Sequence, residues 1–221
     1  MLTIAIDGPG GAGKSTIAKK VATKLDIDYI DTGAMYRAVA YKTLINNIDI
    51  SDIDSVREML EDTDINFSAG DIFMDGKIVN NEIREPEVSK CASKVSQILE
   101  VRVKLVELQR NMAKTKSVVM DGRDIGTNVL PDANCKFYMT ASPDERAKRR
   151  FDELRSKGSD VSFQEVLNDI NQRDKQDMER ELNPLRKADD AMEVDTTDID
   201  IEGVVDILLK EIDKINRIGK L

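Results

Sequence analysis

Residues Gly8 to Ser15 read Gly-Pro-Gly-Gly-Ala-Gly-Lys-Ser and match the pattern G-x-x-x-x-G-K-[ST]. In a phosphate-binding loop (P-loop) of this pattern, backbone N–H groups surround a polyphosphate, the lysine adds positive charge and the hydroxyl faces Mg²⁺. A glycine-rich turn without a ligand is the alternative interpretation. The flanking residues decide between the two, because a P-loop joins a buried strand to a helix.

Both flanks have the required character. Leu2 to Asp7 form a short apolar run that is typical of a buried strand. After the loop, Ile17, Val21 and Leu25 recur at four-residue intervals, which predicts a helix with one apolar face. Such a helix directs its unpaired N–H groups and its positive end at an anion in the loop. The sequence therefore predicts a P-loop at residues 8–15.

Composition narrows the class of ligand. The chain has 221 residues, long enough for one large domain or for a core with inserts. It carries 33 Lys and Arg against 42 Asp and Glu, a net charge of −9. A protein that binds the phosphate backbone of a nucleic acid is usually basic, so we expect no nucleic-acid partner. A phosphate site must then be a local cluster of basic residues.

The residue types present also limit the chemistry. Cys91 and Cys135 are far apart and form no CxxC pair, which favours two reduced thiols in a cytoplasmic protein. We expect no secretory signal and no membrane segment, because no apolar run is long enough. The chain has no His, so Ser-His, Cys-His and His-metal mechanisms are excluded. Phosphoryl transfer needs little beyond Lys, Arg, Asp, hydroxyl groups and a metal ion.

Alternating apolar strands and amphipathic helices predict an α/β protein. Val118 to Asp121 read as a strand that ends on a carboxylate, and Asp121 would lie beside the P-loop if this strand neighbours the first. Further core strands are expected at 28–31, 135–140 and 191–194. Helices are expected at about 34–46, near 53–60, from about 100, in the charged region that Asn183-Pro184 ends, and over 205–215.

Residues from about 63 to 96 differ from this alternation. Short strand candidates at 65–67, 72–74 and 77–79 are separated by Ala69-Gly70 and Asp75-Gly76. Asp-Gly favours a tight hairpin, because both central residues of the turn take positive φ. The region is predicted to be a small antiparallel insert, and inserts of this kind often carry substrate specificity.

Arginines outside the P-loop suggest a second anion. Arg37 is expected in the first turn of its helix, where the helix dipole disfavours a cation, so it would have an anionic partner or simply be solvated. Arg146 and Arg150 are four residues apart on one helix, which costs energy unless an anion lies between them.

A further set of charges is expected on one face of the next helix. Arg173, Asp177 and Arg180 have the spacing i, i+4 and i+7. A structural ladder of salt bridges explains this face as well as a binding site does.

From these residues alone, a nucleotide-dependent switch and a small-molecule kinase both fit. A GTP switch would need a guanine-reading Asn-Lys-x-Asp, which the chain lacks. The two arginine clusters favour a kinase with an anionic acceptor.

Several motifs are more specific than the P-loop, and together with it they closely resemble the bacterial cytidylate kinase family. The resemblance runs almost from end to end of the chain. The motifs are Gly8 to Thr16, Asp31-Thr32-Gly33-Ala34-Met35-Tyr36-Arg37, Ala92-Ser93-Lys94-Val95, Asp121-Gly122-Arg123-Asp124-Ile125-Gly126-Thr127 and Pro131-Asp132-Ala133.

The resemblance implies transfer of the γ-phosphoryl group of ATP, with Mg²⁺, to CMP or dCMP. It implies a three-layer P-loop NTPase fold with a five-stranded parallel sheet, a small antiparallel insert that binds the nucleoside monophosphate, and a helical lid. We expect one monomeric kinase unit over residues 1–221. Its core would comprise 1–62, 97–145 and 158–221, its insert about 63–96 and its lid about 146–157.

Site residues follow from the same resemblance. ATP would be bound by Gly8, Pro9, Gly10, Gly11, Ala12, Gly13, Lys14, Ser15 and Thr16, and Ser15 would also hold Mg²⁺. CMP would be bound by Thr32, Arg102 and Asp124 at the base, Ser93, Arg173 and Asp177 at the ribose, and Arg37, Arg123 and Arg180 at the phosphate. Lys14, Arg123, Arg146, Arg150 and Asp121 would be catalytic. Thr32 stands where the family commonly has serine, which keeps the hydroxyl and tightens the pocket by one methyl group.

Two alternatives stay open at this point. One is a P-loop kinase for another nucleoside monophosphate such as UMP. The other is a non-catalytic protein that binds partners in a nucleotide-dependent way.

Overall fold

A computed structural model describes residues 1–68, 70–156 and 158–218. The chain forms two compact units. The first, here called the P-loop unit, comprises Met1–Tyr29 and Lys116–Leu221, and the second, the hairpin unit, comprises Ile30–Thr115. The predicted boundaries of core, insert and lid stay predictions. Lys157 at the end of the predicted lid, and residues 219–221 at the end of the predicted core, lie outside the described residues.

Strands and helices alternate through most of the described chain. The strands are β1 Thr3–Asp7, β2 Asp28–Asp31, β3 Ile65–Ser68, β4 Asp71–Met74, β5 Lys77–Ile78, β6 Val118–Gly122, β7 Cys135–Thr140 and β8 Met192–Asp195. The helices are α1 Lys14–Leu25, α2 Thr32–Ile45, α3 Ile53–Glu61, α4 Pro86–Val95, α5 Leu99–Thr115, α6 Pro143–Ser156, α7 Phe163–Glu179 and α8 Ile201–Ile218. A short 3₁₀ turn covers Glu82–Arg84 and a π-helical turn covers Ile125–Val129.

The larger sheet has five strands in the order β2-β6-β1-β7-β8. The central strand β1 runs parallel to β6 on one side and to β7 on the other. This register sets Ile6 opposite Asp121 and Asp7 opposite Tyr138. The predicted α/β fold with a five-stranded parallel sheet is therefore confirmed, and β1 and β6 are neighbours, as a site beside the P-loop requires.

The core of the P-loop unit lies between this sheet, α1 and α8. Ile17 and Val21 of α1 and Leu208 and Ile212 of α8 are buried against strand residues such as Phe137. The predicted amphipathic patterns of both helices are thus confirmed. A parallel sheet needs cover on its faces because its strands are apolar on both sides.

The hairpin unit contains a second, antiparallel sheet in the order β3-β4-β5. Asp75 and Gly76 connect β4 to β5 with φ of 51° and 75°, so both central residues have the positive φ that the sequence predicted. Ala69, in the other predicted turn, lies outside the described residues. The insert is less purely antiparallel than predicted, because α4 lies within it. Pro86 is the first residue of α4, where its missing N–H costs nothing.

Two predicted helix boundaries are wrong, the start of α2 and the end of α7. The helix α2 begins at Thr32 rather than near Ala34, because Asp31 caps it by accepting a hydrogen bond from the Ala34 N–H at 2.8 Å. The helix α7 ends at Glu179, well before Asn183-Pro184. Arg180 already has extended backbone, so it does not share a helical face with Arg173 and Asp177.

Within the described part of the chain, each helix is too short or too polar to cross a bilayer.

Packing of α8 gives a first prediction. Leu208→Ala should lower the free energy of unfolding by about 2–5 kcal/mol, because the side chain is fully buried and its removal leaves a cavity. Urea denaturation monitored by circular dichroism measures this change. The matched control is Ile201→Ala at the exposed start of the same helix, expected to change stability by about 0.5 kcal/mol at most. Equal losses for the two variants would contradict this account of the core.

Candidate active site

The P-loop backbone is built around close contacts that only glycine permits. Gly13 caps α1 with φ of 84°, in the left-handed region. Gly8 has φ of 145°, and a Cβ atom there would lie 1.9 Å from the Met139 carbonyl oxygen of β7. Ala12 is fully buried, and its carbonyl oxygen accepts a hydrogen bond from the Thr196 hydroxyl at 3.3 Å. Thr16 is exposed in the first turn of α1. The loop is therefore fixed from below by β7 and by the end of β8.

Lys14 lies under the loop. Its Nζ donates a hydrogen bond to the Pro9 carbonyl oxygen at 2.7 Å, and the residue is 5% exposed. Burial lowers the pKa of Lys14 to about 7, and the nearby Arg123 guanidinium acts in the same direction. An anion in the loop would favour the charged amine, so anion binding and protonation of Lys14 are coupled.

Ser15 is joined to Asp121 at the end of β6. The Ser15 hydroxyl donates to Oδ2 of Asp121 at 2.8 Å, and the Tyr29 hydroxyl donates to Oδ1 at 2.7 Å. Asp121 is 4% exposed. A hydroxyl and a carboxylate side by side are oxygen ligands of the kind that Mg²⁺ prefers. The sequence predicted Asp121 beside the loop, and the register of β1 and β6 brings it there.

Asp7 connects β1 to the segment that follows β6. Its carboxylate accepts hydrogen bonds from the backbone N–H groups of Ile125 at 2.8 Å and Gly126 at 2.7 Å. Burial raises the pKa of Asp7 to about 6, against the effect of these two hydrogen bonds. The two bonds fix the start of the π-helical turn, and so fix Asp124 and Arg123 just before it.

Two partly buried ion pairs border Gly10. Arg123 Nε donates to Asp177 Oδ2 at 2.7 Å, and Arg146 Nη1 donates to Asp174 Oδ2 at 2.7 Å. Arg146 also donates to the carbonyl oxygens of Gly10 at 3.1 Å and Ala141 at 2.9 Å.

The loop backbone is close to both guanidinium-bearing side chains. A Cβ atom on Gly10 would be 3.5 Å from Arg123 Nη2, and one on Gly11 would be 3.1 Å from the Arg146 Cβ. Both arginines therefore lie against the loop, held there by carboxylates of α7.

The two arginines predicted to share an anion have different surroundings. Arg146 is 3% exposed against the P-loop, whereas Arg150 is exposed and pairs with Glu153 at 2.7 Å. Arg149 is the third arginine of this region and bonds the Thr196 carbonyl oxygen at 2.7 Å. A Cβ atom on Gly13 would be 4.0 Å from Arg149 Nη1. Arg149 therefore lies close to the loop as well, and it also pairs with Glu145 at 2.9 Å.

Asp124 and Arg180 form a third buried pair. Arg180 Nη2 donates to Asp124 Oδ1 at 3.1 Å, and each side chain is 7% exposed. Asn128 donates to the other carboxylate oxygen at 3.0 Å. Burial would raise the pKa of Asp177, but the guanidinium groups of Arg123, Arg173 and Arg180 hold that pKa below its usual value. Arg173 itself is exposed. Arg123, Asp124, Asp177 and Arg180 thus interact as one set of paired charges in the P-loop unit, whereas Arg150 is in an exposed pair with Glu153.

The remaining predicted residues belong to the hairpin unit. Arg37 Nη2 donates to Asp31 Oδ2 at 3.1 Å, while Arg37 Nε is buried and has no hydrogen-bond partner. Thr32 is 3% exposed at the start of α2. Arg102 is 2% exposed, donates to the Ser96 carbonyl oxygen at 3.2 Å and lies 5.7 Å from the centre of the Tyr36 ring. Ser93 is half-buried on α4.

The predicted anionic partner of Arg37 exists, but the argument for it was wrong. Arg37 is in the second turn of α2, because the helix begins at Thr32. Its partner is the capping carboxylate of Asp31.

Sequence reasoning missed Asp7, Tyr29, Arg149 and Asp174. Asp7 was counted as part of the apolar run of β1. A carboxylate at the end of an otherwise apolar strand was the signal that could have identified it. Asp174 is three residues before Asp177, which places both on one face of a helix. Nothing in the sequence singles out Tyr29, because its hydrogen bond to Asp121 spans 92 positions.

Comparisons with known proteins agree with this geometry. The sequence model of a family described as cytidylate kinase matches residues 4–214. A cytidylate kinase of Clostridium perfringens is 50% identical over 214 residues, which are 97% of this chain and 99% of the relative. A cytidylate kinase of Caldicellulosiruptor saccharolyticus is 52% identical over 213 residues, 95% of this chain and 94% of the relative.

Among solved structures, an uncharacterized protein of Eubacterium ventriosum matches with a TM-score of 0.53 and 16% identity. The match covers 96% of this chain and 99% of that one. At this identity it supports the fold alone.

The buried amine of Lys14 gives a second prediction. At pH 8 most of this amine is neutral, because its pKa is about 7. A bound polyphosphate favours the ammonium form and raises the pKa, so binding of tripolyphosphate at pH 8 should take up about one proton. The measurement is titration calorimetry in buffers of different ionisation enthalpy.

Lys14→Arg is the control for this measurement, because a guanidinium stays charged and takes up no proton. Proton uptake should fall towards zero in the variant. The same uptake in both proteins would assign the proton to another group.

Proposed function

Because the chain belongs to the cytidylate kinase family, we propose that it transfers the γ-phosphoryl group of ATP to CMP and dCMP, giving CDP or dCDP and ADP. The observation that carries this proposal is the family match over residues 4–214. The P-loop, with Ser15 bonded to Asp121, supplies the chemistry that such a match requires.

The donor side of the reaction is supported by the P-loop. Its backbone N–H groups and the N-terminus of α1 favour the negative charge of the ATP phosphates. Lys14 would bridge these phosphates from below the loop, after leaving the Pro9 carbonyl oxygen that it contacts now. Arg146 and Arg123 border Gly10 and would neutralise charge on the transferred group.

The residues beside the loop also fit Mg²⁺. Ser15 and Asp121 supply a hydroxyl and a carboxylate, and Mg²⁺ is typically bound by one or two protein oxygens together with substrate phosphates. When bound, the ion neutralises the charge that develops between the β- and γ-phosphates. Ser15 would hold it directly, and Asp121 would orient Ser15 or a metal-bound water.

The acceptor side is supported by the arginines and their carboxylates. In the P-loop unit, Asp124 with Arg180 offers an acceptor and a donor of the kind that read the edge of a base. Arg123, Arg173 and Asp177 would bind the phosphate and the ribose, as the family resemblance implies.

Residues of the hairpin unit are proposed as acceptor ligands as well. Arg37 is the best supported, since its buried Nε has no hydrogen-bond partner and a phosphate oxygen would satisfy it. Thr32, Ser93 and Arg102 are proposed on the resemblance alone.

The chemical step needs no side-chain base. The attacking atom is a CMP phosphate oxygen, already anionic at neutral pH, and it displaces ADP from the γ-phosphorus in line. Catalysis would then consist of positioning and charge neutralisation, which Lys14, Arg123 and Arg146 would supply. We also propose Arg150 as a lid residue. It would neutralise charge on the transferred group once its exposed ion pair with Glu153 has opened.

A coupled assay of ADP release tests this function. It uses the purified full chain with ATP, Mg²⁺ and each of CMP, dCMP, UMP and AMP. Release with CMP and dCMP should exceed release with UMP and AMP by at least about tenfold. A preference for UMP or AMP would identify a kinase for another monophosphate, and nucleotide binding without acceptor-dependent release would identify a binding protein.

Lys14 gives the third prediction. Lys14→Ala should lower kcat by about 10³-fold, because it removes the charge that stabilises the transferring phosphoryl group. The protein should stay folded by circular dichroism. Lys20→Ala, on the exposed side of the same helix, is the matched control and should leave kcat within about twofold. Near-normal turnover of the Lys14 variant would remove this residue from catalysis.

Asp124 gives the fourth prediction. Asp124→Asn should raise the KM for CMP and lower kcat/KM for CMP by about 10- to 100-fold, with a smaller loss for UMP, so that the preference narrows. Steady-state kinetics with both acceptors measure the ratio. Asp206→Asn, on the exposed face of α8, is the control that should leave it unchanged. An unaltered CMP to UMP ratio in the Asp124 variant would exclude a role in reading the base.

A further inference from the structure

Tyr29 makes a contact that the family resemblance does not assign to any role. It lies on the edge strand β2, one residue after Asp28, and its hydroxyl donates to Oδ1 of Asp121 at 2.7 Å. Lys19 of α1 covers its ring, with Nζ 5.6 Å from the ring centre. The ring is therefore held between the P-loop helix and the neighbouring strand.

The carboxylate of Asp121 is oriented by two hydroxyl groups. Tyr29 donates to one oxygen and Ser15 donates to the other, at 2.7 and 2.8 Å. Two bonds to two different oxygens fix the rotation of the carboxylate plane, which a single bond would leave free. The plane in turn decides where the Ser15 proton points.

The direction of that proton matters for a cation. A serine hydroxyl has one proton and two lone pairs, so a proton directed at Asp121 turns the lone pairs elsewhere. A lone pair is what a hydroxyl offers to Mg²⁺, whereas the proton would repel it. Ser15 can therefore serve as a ligand only in the hydroxyl orientation that Asp121 enforces.

We propose that Tyr29 is a positioning residue for Mg²⁺: through Asp121 it holds the Ser15 hydroxyl in the orientation that binds the ion of Mg²⁺-ATP. This inference rests on the proposed function for the identity of the nucleotide. It adds a residue that touches neither nucleotide nor metal, and it predicts a defect specific to the metal.

A purely structural role makes a different prediction. If Tyr29 only satisfied a buried carboxylate, its loss would weaken the fold or the whole nucleotide site, with and without metal alike. The quantity that separates the two roles is the ratio between the affinities for ADP with Mg²⁺ and for ADP without it. Tyr29→Phe tests this ratio cleanly, because it removes one oxygen and keeps the ring.

The experiment measures binding of fluorescent mant-ADP to the full chain, in Mg²⁺ and in EDTA. Tyr29→Phe should reduce the gain in affinity from Mg²⁺ by about tenfold, as loss of an outer-shell partner typically does, and should leave the affinity in EDTA unchanged. Tyr41→Phe, a tyrosine of α2 without a role in the site, is the matched control and should keep the wild-type ratio. The concentration of Mg²⁺ for half-maximal turnover of CMP should rise by a similar factor.

A double variant tests the route through Ser15. Once Ser15→Ala has removed the hydroxyl, adding Tyr29→Phe should change the Mg²⁺ ratio no further, since the effects of residues that act in series do not add. An unchanged ratio in Tyr29→Phe overturns the inference, as does an equal loss with and without Mg²⁺ or full additivity in the double variant. Failure of the proposed function is a separate result, namely a wild-type protein that binds Mg²⁺-ADP but does not phosphorylate CMP.

Discussion

Buried charge that is paired, rather than hydrophobic contact, determines the shape of the candidate site. Arg146 and Arg123 lie against Gly10, and each is neutralised by a carboxylate of one helix, Asp174 and Asp177. A guanidinium taken out of water without such a partner costs several kcal/mol, so the arginines stay where α7 puts its carboxylates. The helix α7 thereby fixes two cations around a loop to which it is not adjacent in sequence. An incoming anion would exchange partners with these carboxylates and would not have to attract loose side chains.

The parallel sheet supplies the other half of the arrangement. Because β1 and β6 are neighbours in register, the carboxylate that ends β6 meets the first hydroxyl of α1, and Asp7 at the end of β1 meets the turn after β6. Each strand end therefore holds the segment that follows the other strand. The donor loop and the segment with Arg123 and Asp124 are consequently parts of one rigid edge, as expected where ligands bind to an open α/β sheet.

Much of this fold could be predicted from the sequence, because its signals are local. The strand, glycine loop and helix at residues 3–25, the Asp75-Gly76 turn and the apolar face of α8 are each encoded within a few positions. What failed depends on tertiary contacts. Arg180 lies beyond the end of α7 and pairs with Asp124, 56 positions away, and Arg146 contacts the loop whereas Arg150 pairs with Glu153. Tyr29 could not be selected, since a tyrosine in a strand is ordinary until its distant partner is known.

The contact between Gly8 and β7 has a consequence for how the chain can vary over evolutionary time. Any codon change that replaces this glycine adds at least a Cβ atom 1.9 Å from a main-chain oxygen that cannot move without its strand. The same addition at Gly10 would meet only the end of a long side chain, at 3.5 Å. The steric constraint on substitution is thus far stronger at the first glycine than two residues later, although both lie in the same eight-residue motif.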